Sequence, residues 1–159
     1  MAKSVAAHFS VWLPWRTRND HPKIHLPGVY AVARFRTPPE TRQFSLCEEL
    51  IYFGMTNSKG GLKSRLRQFD RTISGYLEHG GADRVRYAFP SYRHLTPKLF
   101  VAIAPFPCDV TSGKPKDLCT MGEVAKFEYV CLASYARRFN CLPRFNDKKN
   151  APKFSANGT

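Results

Sequence analysis

A chain of 159 residues, 43% of them hydrophobic, is long enough to bury one core and short for two. No stretch reaches the roughly 18 uncharged apolar residues that cross a bilayer, which argues against a membrane-spanning protein. The balance of 25 Lys and Arg against 12 Asp and Glu, a net charge of +13, draws polyanions and favours nucleic acid over acidic membranes or acidic proteins as the partner.

In chain order, residues 1–26 read as an N-terminal extension whose Trp12 and Trp15 make it too aromatic for plain disorder and suit it to packing on the core or on a partner. Its start has no clean apolar run followed by a small-residue cleavage site, so a soluble, cytoplasmic protein is expected. "GVYAVARF" from Gly28 is rich in β-branched and aromatic residues and predicts a strand, and "LIYFG" ending at Gly54 predicts a second. The "TPPETRQ" between them is a loop, because adjacent prolines cannot serve a ladder. Leu62, Leu66, Phe69, Ile73 and Leu77 then recur at steps of three and four, the stripe of an amphipathic helix, with Lys63, Arg65, Arg67 and Arg71 off the stripe. "HGG" reads as a helix stop, and "RVRYAF" and "KLFVAIAPF" as two more strands. Residues 107–119 are loop-like, and Thr120 with Glu123 forms a capping box that opens a helix running to about Phe139. Pro143 closes it off, and residues 147–159 form a basic tail expected to be flexible. The five cysteines are odd in number and form no CxxC pair, so reduced thiols, several of them buried, are expected instead of a disulfide framework or a zinc knuckle. His21 and His25 form an HxxxH with no Cys pair nearby, too little for a zinc site.

"GVY" at 28–30 on a first strand, "YFG" at 52–54 on a second, "LKSRL" at 62–66 opening a helix, a helical Glu128, and "PRFN" at 143–146 together resemble the GIY-YIG nuclease superfamily. The resemblance spans residues 27–146, which it marks as the nuclease-like domain. It implies an α/β (α+β) fold with a compact core, a small central antiparallel sheet and flanking helices. It also implies hydrolysis of DNA phosphodiesters with one divalent metal, Mg²⁺ or Mn²⁺. By the same resemblance Tyr30 orients or deprotonates the attacking water, Tyr52 assists from the next strand, Arg65 holds phosphate, Glu128 holds the metal, and Asn146 braces the site.

The chemistry asks for such parts: a positioned water, a cation against the growing phosphoryl charge, and stabilisation of the leaving oxygen. A phenol of pKa about 10 is a poor base at neutral pH unless cations or a metal lower it. A guanidinium holds two phosphate oxygens in a fixed fork, for which lysine is no equivalent. Glu128 shares a helical face with Val124, Cys131, Leu132 and Tyr135, and a carboxylate among apolar neighbours is costly unless a cation or metal pairs with it. One carboxylate with waters and a substrate phosphate suffices to hold Mg²⁺. Gly28 and Gly54, lacking side chains, leave room for a nucleic-acid backbone or ring to approach. Lys63, Arg67 and Arg71 read as a solvated face making general backbone contacts with DNA.

Two departures from the family pattern stand out. The interval between Tyr30 and Tyr52 is longer than the usual family hairpin, so residues 36–49 hold an insertion, and the "SKGG" loop before the helix is also extended. Many relatives carry His or Tyr one turn after the helical Arg, where this chain has Phe69; Lys63, Tyr76 and His79 are the candidates to replace it. The function expected is a metal-dependent DNA endonuclease, with restriction, repair or recombination, and mobile-element roles left open. A restriction role predicts a homodimer or paired binding. The alternative is a catalytically degenerate nucleic-acid-binding protein of the same fold, and a third is an unrelated basic module.

Overall fold

The computed structural model describes residues 4–157. Four strands, β1 (Leu13–Pro14), β2 (Gly28–Arg34), β3 (Leu50–Thr56) and β4 (Leu99–Pro105), form one antiparallel sheet in the order β1-β4-β2-β3. Helices flank both faces, giving an α+β fold.

Both apolar strand runs are strands because both of their faces are covered. Tyr30 and Val32 point to one face of β2, where they meet Leu62, Leu66, Phe69 and Ile73 of α1 (Gly61–Ser74). Val29, Ala31 and Ala33 point to the other, against Val124, Phe127, Cys131 and Tyr135 of the long α4 (Pro115–Phe139). The stripe foreseen on α1 is buried up to Ile73. Leu77 falls outside it and is exposed, because Gly75 (φ 133°) ends the helix in a conformation that side chains resist.

The expected strand over 84–89 is a helix, α2 (Gly80–Ala88). The His79 side chain caps it, Nδ1 accepting the Ala82 N–H at 3.1 Å. The alternation of Val85, Tyr87 and Phe89 imitated a strand, yet only Val85 of the three is buried. Pro90 stops the helix in front of the short α3 (Tyr92–Leu95). The start of α4 also differs. Thr120 does not cap it but lies inside, donating to the Lys116 carbonyl at 3.1 Å, because the helix already begins at Pro115, a residue whose fixed φ suits that first position. The far end is as expected, with Asn140 in the left-handed conformation after Phe139.

The flanking segments are built into the body. Trp12 and Trp15 are 1% exposed; Trp12 packs on Phe44 of the 36–49 insertion, and the Trp15 Nε1 donates to Asp70 of α1 at 2.8 Å. The tail expected to be flexible is docked as far as it is described. Ala151 is buried, Phe154 opens the last turn, α5 (Phe154–Asn157), under the Arg86 guanidinium at 3.8 Å, and Ser155 bonds the buried Asp83. All five cysteines are free, but only Cys131 is buried. No helix among the described residues is long and apolar enough to cross a membrane.

Candidate active site

Register places the two tyrosines. Tyr30 pairs with Gly54 across β2 and β3, and Val32 with Tyr52, so the two rings lie on the α1 face with centroids 6.1 Å apart. A Cβ added to Gly54 would sit 2.3 Å from the Tyr30 hydroxyl oxygen, so Gly54 makes room for Tyr30 itself. At Gly28 a Cβ would meet the Ala104 carbonyl oxygen at 2.2 Å, on the neighbouring strand. Neither glycine offers space to a substrate, contrary to expectation, because protein atoms already fill it. The glycine that clears the second tyrosine is one the sequence did not single out: a Cβ on Gly81 would lie 2.5 Å from the Tyr52 ring.

Tyr30 has no exposed surface, whereas Tyr52 is partly exposed and lines a pocket of about 300 Å³ with Arg65, Arg84, Asn146 and Lys148. Burial first, then the neighbouring Tyr52, holds the Tyr30 phenol well above its ordinary value, and the Arg65 cation works against this. Tyr52 is raised by burial and by Glu128, opposed by Arg65 and Arg84. Glu128, half-buried on α4, is raised by burial and pulled back by Arg65 and Lys148. Arg65 is thus the common electrostatic neighbour of Tyr30, Tyr52 and Glu128, and four side chains from β2, β3, α1 and α4 share one basic locality.

Two donors in that pocket stand out. The Nε atoms of Arg65 and Arg84 are both buried and meet no acceptor among the described residues. Arg65 is steadied through Nη1 by Gln68 at 2.9 Å, and Arg84 through Nη1 by the Gly80 carbonyl at 3.1 Å. A guanidinium so fixed, with one donor unsatisfied, is prepared for an oxyanion.

His79 stands behind the tyrosines. Its Nδ1 is occupied by the Ala82 N–H, so the proton of the neutral ring is on Nε2 and is donated to the Tyr30 oxygen at 2.6 Å. Burial and then the Arg65 charge push its pKa down to about 3, keeping the ring neutral. Phe69 packs against it at 5.1 Å between ring centroids. Of the three residues weighed as replacements at that position, His79 alone reaches the tyrosines, since Lys63 is exposed and Tyr76 is exposed beneath Arg71.

Searches with the chain return no matching family model, curated protein or solved structure.

Asn146 clamps β3: its Oδ1 accepts the Phe53 N–H at 2.8 Å and its Nδ2 donates to the Phe53 carbonyl at 2.9 Å. The other basic residues of α1 do not join the pocket. Arg71 is ion-paired with Glu78 at 2.8 Å, while Lys63 and Arg67 are exposed. Among the described residues no cluster of three or more His, Cys, Asp or Glu could hold a metal, so a cation would rest on Glu128. That carboxylate makes no hydrogen bond or ion pair with another described residue and has its coordinating oxygens free, which fits a single-carboxylate Mg²⁺ site completed by waters and phosphate. Sequence reasoning missed Arg84, Lys148 and Gly81. The first and last were hidden by reading 84–89 as a strand and "HGG" as a stop, and Lys148 by assigning 147 onward to a flexible tail.

Proposed function

We propose that this protein is a GIY-YIG-like DNA endonuclease that hydrolyses phosphodiester bonds with Mg²⁺ or Mn²⁺ in the cytoplasm. The observation that carries this is the gathering of Tyr52, Arg65 and Glu128, with Tyr30 behind them, around two buried arginine donors that lack acceptors. Arg65 and Arg84 bind the non-bridging phosphate oxygens. Tyr52, the phenol with access to the pocket, orients the attacking water. Tyr30 and His79 hold Tyr52 from behind, and the Arg65 charge steadies the phosphoryl group as charge accumulates. Glu128 would hold the divalent cation, which supplies Lewis-acid neutralisation of the phosphoryl and leaving oxygens. Five free cysteines are in keeping with a reducing compartment.

A second function, binding without cleavage, is favoured by one observation: Tyr30 has no exposed surface and its phenol is held neutral. A nicking assay on supercoiled plasmid with Mg²⁺ or Mn²⁺ separates the two. The expected result is nicking by the wild type, reduced about 100-fold in Arg65→Ala and strongly in Tyr52→Phe and Glu128→Gln. A wild type that binds DNA tightly and never nicks it would establish the binding function in place of the enzyme.

A further inference from the structure

A second concavity, of about 640 Å³, opens at the β1 edge of the sheet. Its exposed aromatic ring is Tyr92 of α3, bordered by Pro14 of the N-terminal segment and by Pro38 and Pro39 of the 36–49 insertion, while Trp15 lies beneath, 1% exposed under the Arg18 guanidinium. Arg16, Arg18 and Arg42 stand around it, and no Asp or Glu lines it. Arg18 is taken by Asp70 at 3.3 Å, and the Tyr92 hydroxyl donates to the same carboxylate, which fixes the ring. Arg16 and Arg42 are exposed and ion-paired to no described residue. Two of the segments that line this groove, the N-terminal one and the 36–49 insertion, are ones that the family resemblance does not account for.

The face of an exposed tyrosine accepts any base by stacking, and unneutralised guanidinium groups beside it accept phosphate. The volume suits a small ligand and not a stretch of duplex. The position is also apt. Leu13, Val101, Val32 and Tyr52 lie in one row across the sheet, so the β1 edge is three strand spacings, about 14 Å, from Tyr52. Trp15, beneath the groove, packs 5.3 Å from Phe69, which in turn packs on His79, so groove and pocket flank the same helix.

We propose that this groove holds an unpaired nucleotide of the DNA strand, so that the protein selects junctions between duplex and single strand. The proposal rests on the nuclease function for its substrate, but its binding step stands apart from cleavage. Anisotropy of a fluorescein-labelled hairpin duplex, with and without a short single-stranded thymidine tail and in EDTA, measures it directly. The tail is expected to tighten binding by the wild type about tenfold, one stacked base being worth that much. The gain should vanish in an Arg16→Ala/Arg42→Ala double variant and shrink in Tyr92→Ala, while affinity for the blunt hairpin changes little. Equal affinity for tailed and blunt hairpins, or a tail preference that survives the double variant, would overturn the proposal. So would displacement of the tailed hairpin by poly-glutamate as readily as by oligothymidine, since the groove would then select acidic polymers in general. A tail preference without any nicking leaves the groove standing and removes the nuclease, and nicking without a tail preference does the reverse.

Discussion

His79 uses both ring nitrogens inside the fold, and that has a sign in the pH dependence of stability. Its folded pKa is about 3, against an ordinary histidine value of 6.5. Between these values the unfolded chain binds the extra proton, so stability is full above about pH 6.5 and is lost progressively as pH falls toward 3. The loss is on the order of a few kcal/mol. Thermal unfolding followed by circular dichroism should show the midpoint falling from pH 7 to pH 4, and His79→Gln should flatten that fall; an equally steep fall in the variant would show that other groups control it. Gly81 gives a second residue-scale prediction. Gly81→Ala pushes a methyl against the Tyr52 ring, so nicking should drop at least tenfold with DNA affinity nearly unchanged, as titration and nicking on one preparation will show. The family resemblance offered Tyr30, Tyr52, Arg65 and Glu128 as candidates, but their depth was not legible in the sequence. Which phenol is sealed in and which meets the pocket depends on Gly54 and Gly81, and Gly81 lies on another element.

At the scale of elements, Asn146 does what a fifth strand would do. With the Phe145 N–H donating to the Ile51 carbonyl at 3.0 Å, it satisfies the outer side of β3 where Tyr52 is carried. Asn146→Ala removes two hydrogen bonds and leaves the Phe53 peptide unpaired, which should cost about 2 kcal/mol in urea unfolding at an unchanged m-value. A loss below a few tenths of that would mean water replaces the amide freely. Strands β2 and β4 were legible as continuous apolar runs buried on both faces, and helix α1 because its apolar period matches its burial. Helix α2 was not, because its capping residue is a histidine and it opens with two glycines, both signals that elsewhere end helices. In α4 a good capping box was overridden by Pro115 and by Asp117, which holds the Ser112 hydroxyl and the Asp109 N–H ahead of the helix.

For the whole molecule, segments near the two ends of the chain brace α1 and α2. Trp15 and Arg18 converge on Asp70, and Ser155 converges on Asp83, which is 1% exposed. A chain ending at Asn150 leaves the Asp83 carboxylate without Ser155, so its melting point should fall, by the equivalent of about 2 kcal/mol. Asp83→Asn should recover part of the loss in the shortened chain, because a neutral amide is cheaper to bury. If the shortened chain melts with the full one, the docked tail is dispensable. The net charge of +13 also sets an expectation for binding: affinity for duplex DNA should fall steeply and linearly with salt on logarithmic axes.

The clamp on β3 bears on self-association. A strand at the rim of a sheet is a template on which a second chain can add, and here Asn146, 93 residues along the sequence from its partner Phe53, occupies that template together with Phe145. Chains cut short before residue 145 would therefore display an open β3 rim, and the same two residues that shape the wall of the pocket occupy the groups through which a second chain would add.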